Sequence, residues 1–388
     1  MGMKVLIAPS GFKESLEPGQ AADCIEAGIR RVVPEAEIYK APLVDGGEGF
    51  TRALVRATGG ELEPVTVTGP VGEPVAAHYG FLGGPGPKTA VLEMAAAAGL
   101  RLVPKDVRDP RLTTTYGVGE LIRAALNAGA ERILVGCGDS GTSDGGAGMA
   151  QALGARFLDS EGEELPVASG GRALSRLAEV DLSGLDRRLR EVRIDVACNW
   201  HNLLCGENGV ARVFGPQKGA TSDQVEELAA ALENYAAVIE RDLGLDVRES
   251  PGSGASGGLG AGLVVVGAKL YPRYEIVMEY LEIDGLLERA ELVFTAEGGI
   301  DFQTPRGKIP AEVARRAKER DIPVIALAGT VGPDAEVNYE AGIDAYASVL
   351  KAPTTLEEAV AHAEELLKEG AESSMRMVLV GRDLAPGK

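Results

Sequence analysis

The chain has 388 residues, 45% of them hydrophobic, which is enough for two or three domains with separate cores. Its net charge of −19 excludes a general nucleic-acid-binding protein, because a phosphate backbone requires a basic surface, and it disfavours an anionic membrane surface. No apolar run reaches the roughly 18 residues of a membrane span, and the N-terminal MGMKVLIAPSGF becomes polar too early for a signal peptide.

The N-terminal part predicts a βαβ unit. Lys4–Pro9 and Ala36–Pro42 are short apolar strands. The helix between them has Pro18 in its first turn and apolar residues at helical spacing. A further helix is predicted over Thr51–Thr58. Glu61–Leu82 then alternates as short strands with Gly-Pro turns, which indicates a meander rather than a parallel sheet.

The middle and the end of the chain alternate strand and helix patterns. The middle predicts strand Thr89–Glu93, helix Tyr116–Ala128, strand Arg132–Val135, helix Gly146–Leu153, strand Val192–Cys198, a long helix over 221–242 and a glycine-rich loop over 252–262. The end predicts strands Glu291–Thr295, Pro323–Ala328 and Ala345–Leu350, and helices Pro310–Arg320, Asp334–Ala341 and Thr355–Lys368.

These patterns predict an α/β protein with a split first domain. Two N-terminal strands are too few for a stable doubly wound sheet, and the parallel strands at the C-terminus can complete it. We therefore expect residues 1–60 and 290–388 to form one discontinuous domain with a parallel sheet, and residues 61–289 to form a second, inserted α/β domain.

Gly136, Gly138 and Gly141 have the spacing of a dinucleotide-binding turn between a strand and a helix. An NAD-dependent oxidoreductase is therefore one alternative. Among 52 glycines, however, chance matches are expected, and the carboxylates of Asp139 and Asp144 are unfavourable beside a pyrophosphate.

Acidic side chains recur in glycine loops at predicted strand ends, while the sequence has no Walker P-loop and only three histidines. Few histidines disfavour a zinc site or a serine-hydrolase triad, and a carboxylate-rich site favours Mg²⁺. Lysines in GFKES, GPQKGA and PRGKIP can neutralise phosphate charge. Carboxylates for a metal, lysines for phosphates and glycine N–H groups for oxygens are the components that phosphoryl transfer needs.

The segments APSGFKESL, PLVDGGEG, GCGDSGTSDGGAGM, GENGVARVFGPQKGAT, GASGGLGAGL and DFQTPRGKIP resemble, in this order, the blocks of the bacterial glycerate kinase family that lacks a Walker loop. The resemblance implies phosphorylation of D-glycerate with ATP and Mg²⁺, with 2-phosphoglycerate the favoured product. It also implies a flavodoxin-like domain with a second α/β domain inserted, and an active site in the cleft between them.

The roles that we expect on this basis fall into four groups. The catalytic candidates are Lys13, Asp45 and Asp301. The substrate-binding candidates are Ser10, Gly46, Gly47, Asn199, Asn202, Glu297 and Gln303. The candidates for binding nucleotide or phosphate are Gly138, Ser140, Thr142, Lys218, Gly257, Gly258 and Lys308. The metal-ligand candidates are Glu48, Asp139 and Glu297.

Three of the motif segments depart from the family pattern. Ser10-Gly11 stands where the family usually has Asp-Ser, Gly299 replaces an arginine, and Asn199 replaces an aspartate. These departures keep a related small hydroxy acid open as the substrate. A non-catalytic sugar-acid-binding protein is a further alternative, against which the retained lysines and aspartates argue.

The expected partners are small molecules, ATP and glycerate, with no nucleic acid and no membrane, and the expected assembly is a monomer or homodimer. The four cysteines lack Cys-x-x-Cys spacing, so we expect reduced thiols and a cytoplasmic protein.

Overall fold

The computed structural model describes residues 2–12 and 15–384. The strands are β1 (Lys4–Ile7), β2 (Glu37–Lys40), β3 (Glu61–Thr68), β4 (Pro74–Phe81), β5 (Thr89–Glu93), β6 (Arg132–Gly136), β7 (Arg156–Leu158), β8 (Glu179–Asp181), β9 (Arg193–Cys198), β10 (Lys269–Pro272), β11 (Leu292–Ile300), β12 (Val324–Val331) and β13 (Ala345–Ser348).

The helices are α1 (Pro18–Arg30), α2 (Phe50–Thr58), α3 (Ala95–Ala98), α4 (Tyr116–Asn127), α5 (Ala147–Ala152), α6 (Val210–Phe214), α7 (Ser222–Leu243), α8 (Ala255–Val265), α9 (Arg273–Tyr280), α10 (Ile283–Leu287), α11 (Ile309–Lys318), α12 (Val337–Glu340), α13 (Leu356–Ala361) and α14 (Ala363–Leu384). No helix in this described part of the chain is long and apolar enough to cross a membrane.

The chain divides into two compact units, which are Met1–Val44 with Val277–Lys388, and the continuous segment Asp45–Ile276. We call them the split unit and the continuous unit. The boundaries between the units lie after residues 44 and 276, nearer the N-terminus than the expected boundaries after residues 60 and 289. One physical reason is that α2 belongs to the continuous unit, where the buried carboxylate of Glu93 accepts hydrogen bonds from the N–H groups of Gly49 (3.0 Å) and Thr51 (2.7 Å).

The split unit is built on a five-stranded sheet with the order β13-β12-β11-β1-β2, in which all neighbouring strands are parallel. The C-terminal β11 pairs directly with β1, with Val5 opposite Leu292. Val5, Leu6 and Ile7 are fully buried, as expected for an inner strand of a parallel sheet that is covered on both faces. The predicted fold class, a discontinuous parallel-sheet domain with an α/β insertion, is confirmed.

Helices α1 and α14 pack together over one face of this sheet, so both ends of the described chain contribute to one core. The two helix backbones approach closely at Gly28. A Cβ atom at this position would lie 2.8 Å from the Cβ of Ala371, and closer still to the carbonyl oxygen of Lys368.

The continuous unit contains a six-stranded sheet with the order β10-β9-β6-β5-β4-β3. Strands β10, β9, β6 and β5 pair in parallel with their neighbours. Strands β4 and β3 extend this sheet with antiparallel pairing at one edge, and they form the predicted meander. Helices α4, α5, α7 and α8 supply much of the buried apolar surface around this sheet.

Two predicted elements differ from the structure in type or in number, and not only in their bounds. The segment 252–262, expected to be a glycine-rich loop, contains much of α8, whose first turns are interrupted by non-helical backbone at Ser256, Gly257 and Gly258. The predicted C-terminal helix over 355–368 is instead two helices, α13 and the much longer α14. The amphipathic pattern of α14 continues to Leu384. The predicted end at Lys368 is therefore too early, because the polar residues after it belong to the same helix.

We expect Gly28→Ala to lower the free energy of unfolding by about 1–3 kcal/mol, because the added methyl group must push α1 away from α14. At an uncrowded helical position the same exchange is favourable by about 0.5–1 kcal/mol. Gly381→Ala in α14, where no atom lies within 4 Å of the new Cβ, is the matched control and should be neutral or stabilising. Urea unfolding of both variants measures the difference, and equal stabilities would contradict the close packing.

Candidate active site

The continuous unit encloses a cavity of about 510 Å³, which we call the lysine cavity. It lies at the ends of β5, β6 and β9, where successive glycine-rich loops leave the sheet. The residues of the predicted site that line it are Asp45, Gly47, Glu48, Gly138, Asp139, Ser140, Asn199, Asn202, Lys218 and Gly257. Three others lie beside it in the same loops without lining it: Gly46, Thr142 and Gly258.

Among the described residues that line this cavity, Lys218 is the only lysine, and it is 2% exposed. Its Nζ donates hydrogen bonds to Oγ of Ser140 (2.9 Å) and to the carbonyl oxygen of Thr142 (2.6 Å), with Oγ of Ser143 at 3.5 Å. Burial lowers the pKa of Lys218 to about 7, and the nearby charge of Asp144 opposes this shift. The ammonium group is therefore held in place, and an anion entering the cavity would stabilise its charge.

Asp144 orders the loop that faces Lys218. Its buried carboxylate accepts hydrogen bonds from the N–H of Thr115 (2.7 Å), the hydroxyl of Thr115 (2.9 Å) and the N–H groups of Gly146 (3.1 Å) and Gly148 (3.3 Å). Burial raises the pKa of Asp144, and these donors oppose that rise. Asp144 does not line the cavity. The carboxylate that looked unfavourable for a pyrophosphate is thus turned inward, where it fixes the loop.

The second glycine segment packs directly on this loop. Gly257 has φ +73°, and a Cβ atom there would clash with the carbonyl oxygen of Thr142, the same oxygen that accepts from Lys218. The N–H of Gly145 donates to the carbonyl oxygen of Gly257 at 3.1 Å. Only glycine satisfies both the backbone angle and the close approach, so Gly257 holds the wall of the cavity in position.

Three carboxylates also line the lysine cavity. Asp45 Oδ1 accepts from the N–H of Gly47 (3.1 Å), and Asp139 Oδ2 accepts from the N–H of Glu48 (2.9 Å). The carboxylate of Glu48 pairs with Arg101 at 2.5 Å, so this metal-ligand candidate already has a cationic partner.

The described residues contain no group of three or more histidines, cysteines, aspartates or glutamates arranged to hold a metal ion. Asp45 and Asp139 nevertheless lie against the same residue: a Cβ atom on Gly47 would be 3.2 Å from Asp45 Oδ1 and closer still to Asp139 Oδ2. One or two carboxylates suit Mg²⁺ that takes its other ligands from phosphate oxygens and water. Asp139, with Asp45 beside it, therefore offers a carboxylate that fits a metal arriving with a nucleotide.

Asn199 and Asn202 form a turn after β9. Asn199 Oδ1 accepts from the N–H of His201 (3.2 Å), and the N–H of Asn202 donates to the carbonyl oxygen of Asn199 (3.2 Å). Both asparagines line the cavity, whereas Trp200 and His201 do not.

Two arginines in the cavity wall were not expected from the sequence. Arg101 pairs with Glu48, and the guanidinium of Arg273 lies 3.9 Å from Asp45 Oδ2. Neither arginine lies in a glycine motif. Arg273 directly follows β10, a short strand that the sequence pattern did not predict. Its position beside the cavity depends on the pairing of β10 with β9, which the sequence does not reveal.

The split unit contains a second cavity of about 600 Å³, which we call the split-unit cavity. Asp301 Oδ1 lies 3.5 Å from Nζ of Lys308 and accepts from the N–H of Gln303 (2.8 Å). Glu297, Asp301 and Lys308 line this cavity, while Ser10 and Gln303 do not. The hydroxyl of Ser10 donates instead to the carbonyl oxygen of Ala296 at 3.1 Å. The catalytic candidate Lys13 lies outside the described residues.

A sequence profile of the Glycerate kinase family matches residues 5–379. The chain is 49% identical over 370 residues to a protein named glycerate kinase from Bacillus subtilis strain 168, covering 95% of this chain and 96% of that one. It is 47% identical over 358 residues to a protein named glycerate 2-kinase from Escherichia coli K12, covering 92% and 93%.

A crystal structure of a protein from Salmonella typhimurium LT2, provisionally named glycerate kinase 2, matches with a TM-score of 0.88 and 46% identity over 99% of this chain and 100% of that one. These similarities confirm the resemblance noted in the motifs and do not favour an oxidoreductase. The chain belongs to the glycerate kinase family.

Proposed function

We propose that the protein is an ATP-dependent kinase that phosphorylates D-glycerate, at its 2-hydroxyl group, and releases ADP. The names of the relatives from Escherichia coli and Bacillus subtilis support this activity. The observation in this chain that carries the proposal is the buried ammonium of Lys218, bonded to Ser140 and Thr142 in the wall of the lysine cavity.

In the proposed reaction the hydroxyl oxygen of glycerate attacks the γ-phosphorus of ATP. The bond between that phosphorus and the bridging oxygen of ADP breaks, and the hydroxyl proton passes to a base. Catalysis of this step depends on positioning the groups in line and neutralising the charge of the phosphoryl oxygens.

Lys218 supplies the neutralising charge in this proposal. A buried ammonium with only neutral oxygen partners is stabilised when an anion binds, and the resulting charge-assisted hydrogen bonds are stronger than neutral ones. We assign the N–H and hydroxyl groups of Gly138, Ser140, Gly257 and the adjacent Thr142 to the oxygens of the same phosphate group. Gly258, whose N–H donates to the carbonyl oxygen of Gly254, belongs in this proposal to the same phosphate-binding segment.

Asp45 is our candidate for the base. Its side chain is 61% exposed and therefore accessible to a ligand, while the hydrogen bond from Gly47 holds one of its oxygens. Asp301 is the alternative base, since it also lines a cavity and is paired only at 3.5 Å with Lys308.

The remaining assignments stay proposals for substrate and phosphate binding. They are Lys13, Ser10, Gly46, Gly47, Asn199, Asn202, Glu297 and Gln303 for glycerate, and Lys308 for the nucleotide phosphates. We also propose that both units contribute residues to the reaction, and that the enzyme acts in the cytoplasm as a monomer or homodimer.

We propose that the nucleotide binds with Mg²⁺ and that Asp139 is its main protein ligand, with Glu48 and Glu297 as weaker candidates. When bound, the metal would neutralise phosphate charge and fix the geometry of the transferring group. The protein's own part is to hold the carboxylate of Asp139 through a hydrogen bond from the N–H of Glu48, while the N–H of Gly47 holds Asp45, our candidate for the base.

A coupled assay of ADP release tests the proposal directly. We expect turnover with D-glycerate, slower turnover with other small hydroxy acids, and 2-phosphoglycerate as the product in ³¹P NMR. EDTA should abolish the activity without changing the melting temperature, because the metal is not part of the folded core. Absence of ADP release with D-glycerate, or full turnover in EDTA, would contradict the corresponding part of the proposal.

Asp45→Asn should lower kcat/KM by about 10²–10⁴-fold, because the amide keeps the shape of the side chain but does not accept the hydroxyl proton. The melting temperature should stay within a few degrees, since the side chain is mostly exposed. Asp106→Asn, an exposed aspartate of the same unit that does not line the cavity, should retain full activity. Near-normal turnover of Asp45→Asn would move the base to Asp301.

Lys218 should give the reaction a characteristic pH dependence. The lowered pKa of about 7 means that the free enzyme loses this positive charge as the pH rises through about 7. We therefore expect kcat/KM for ATP, which reports groups of the free enzyme, to fall above that pH. The turnover number kcat should fall only at higher pH, because a bound phosphate raises the pKa of the lysine.

Lys218→Met should remove this pH dependence and lower kcat/KM by about 10²-fold or more, as expected for the loss of a positioned charged group. Lys105→Met, which removes an exposed lysine of the same unit, should leave the pH profile unchanged. A profile of kcat/KM in the unaltered enzyme that stays flat across neutral pH would show that the charge of Lys218 is not required.

A further inference from the structure

The split-unit cavity lies at the carboxyl edge of the parallel sheet. Its walls include Phe12 after β1, Gly298 in β11, Thr330 in β12 and Val349 after β13. In open parallel sheets this edge is the usual place for a ligand, because the loops that follow neighbouring strands converge there.

The two ends of this cavity differ in chemistry. One end carries charged and polar groups, with Asp301 and Lys308 3.5 Å apart and Thr330 nearby in the lining. The other end is formed by the segment from the end of β13 to the start of α14 and is mostly apolar. Its lining residues there are Val349, Leu350, Leu356, Ala359, Val360, Ala363 and Leu366, with two polar residues, Thr354 and Thr355.

The apolar end is not a closed core. Leu356 is 74% exposed, and Leu350, Ala359 and Val360 are partly exposed, so a flat apolar group placed against them would release water from both surfaces. The cavity volume of about 600 Å³ falls within the usual range for sites of nucleotide-sized molecules.

Of the two substrates in the proposed reaction, only ATP matches this wall. Glycerate carries a carboxylate and two hydroxyl groups on three carbon atoms and has almost no apolar surface to bury. Adenine is a flat ring system that gains from apolar contact on its face, whereas the triphosphate requires cations.

We propose that the split-unit cavity binds the nucleoside part of ATP, with the adenine ring against the apolar wall formed by Leu350, Leu356, Ala359 and Val360 and with Lys308 on the phosphate side. This inference rests on the proposed function, because it assigns one substrate of that reaction to a site. It gives a role to residues 349–366, which none of the sequence motifs includes.

Ala359→Trp tests the inference by filling the proposed ring site from within α13. Isothermal titration calorimetry with ADP should show a Kd at least about tenfold weaker than for the unaltered enzyme, and KM for ATP should rise in parallel. KM for D-glycerate and inhibition by inorganic tripolyphosphate, which lacks a base, should change by less than about twofold. Glu357→Trp, on the same helix but outside the cavity lining, is the matched control and should bind ADP normally.

Leu356→Gln provides a second test that places no strain on folding, because this side chain is mostly exposed. It should also weaken ADP binding while leaving tripolyphosphate inhibition unchanged. If the unaltered enzyme phosphorylates D-glycerate and both variants bind ADP as tightly as it does, the inference is wrong and the proposed function stands. If the unaltered enzyme neither binds ADP nor releases it from ATP with D-glycerate, both are wrong.

Discussion

The buried ammonium group of Lys218 imposes the tightest constraint on the continuous unit. A charge removed from water must be surrounded by oxygens at hydrogen-bonding distance, and Ser140 and Thr142 provide them. The loop that carries these oxygens must then keep one conformation. Asp144 ties it to the start of α4, and Gly257 closes over it with a backbone that has no room for a side chain. One buried charge thus explains why carboxylate, hydroxyl and glycine residues are concentrated in this short stretch.

Much of the fold could be predicted because local patterns agreed with the final packing. The strand Thr89–Glu93 has the predicted bounds, and α4, β6, β9 and α7 differ from prediction by a residue or two at their ends. The failures have physical causes. Segment 252–262 is rich in glycine, which predicts a loop, but burial among other backbones makes it helical after Gly258. Strands β7 and β8 have three residues each, too few for a recognisable period of alternation, and β10 ends in Pro272, a residue that disfavours a strand prediction.

In the candidate site, too, features that depend on neighbouring residues could be predicted, and features that depend on residues far along the chain could not. Glycine loops at strand ends marked the lining of the lysine cavity well, because parallel strands bring such loops to one edge. Arg101 and Arg273 were missed because they reach the cavity from segments without any loop motif. Ser10 lies in a matching motif, yet its hydroxyl is used by the carbonyl oxygen of Ala296 in the neighbouring strand. Sequence spacing identifies a loop, but the direction of a side chain depends on partners far along the chain.

The split unit joins the first and the last parts of the described chain: Arg31 after α1 bonds to Glu372 in α14 across 341 positions, and β1 pairs with β11. On the ribosome, the first 44 residues emerge long before their partners, so their apolar strand and helix have no complete sheet to join. The continuous unit, by contrast, has all of its strands in one uninterrupted segment and can close during synthesis. β1 can complete its sheet only after the segment that carries β11 and β12 has been made, and until then its apolar side chains are not buried.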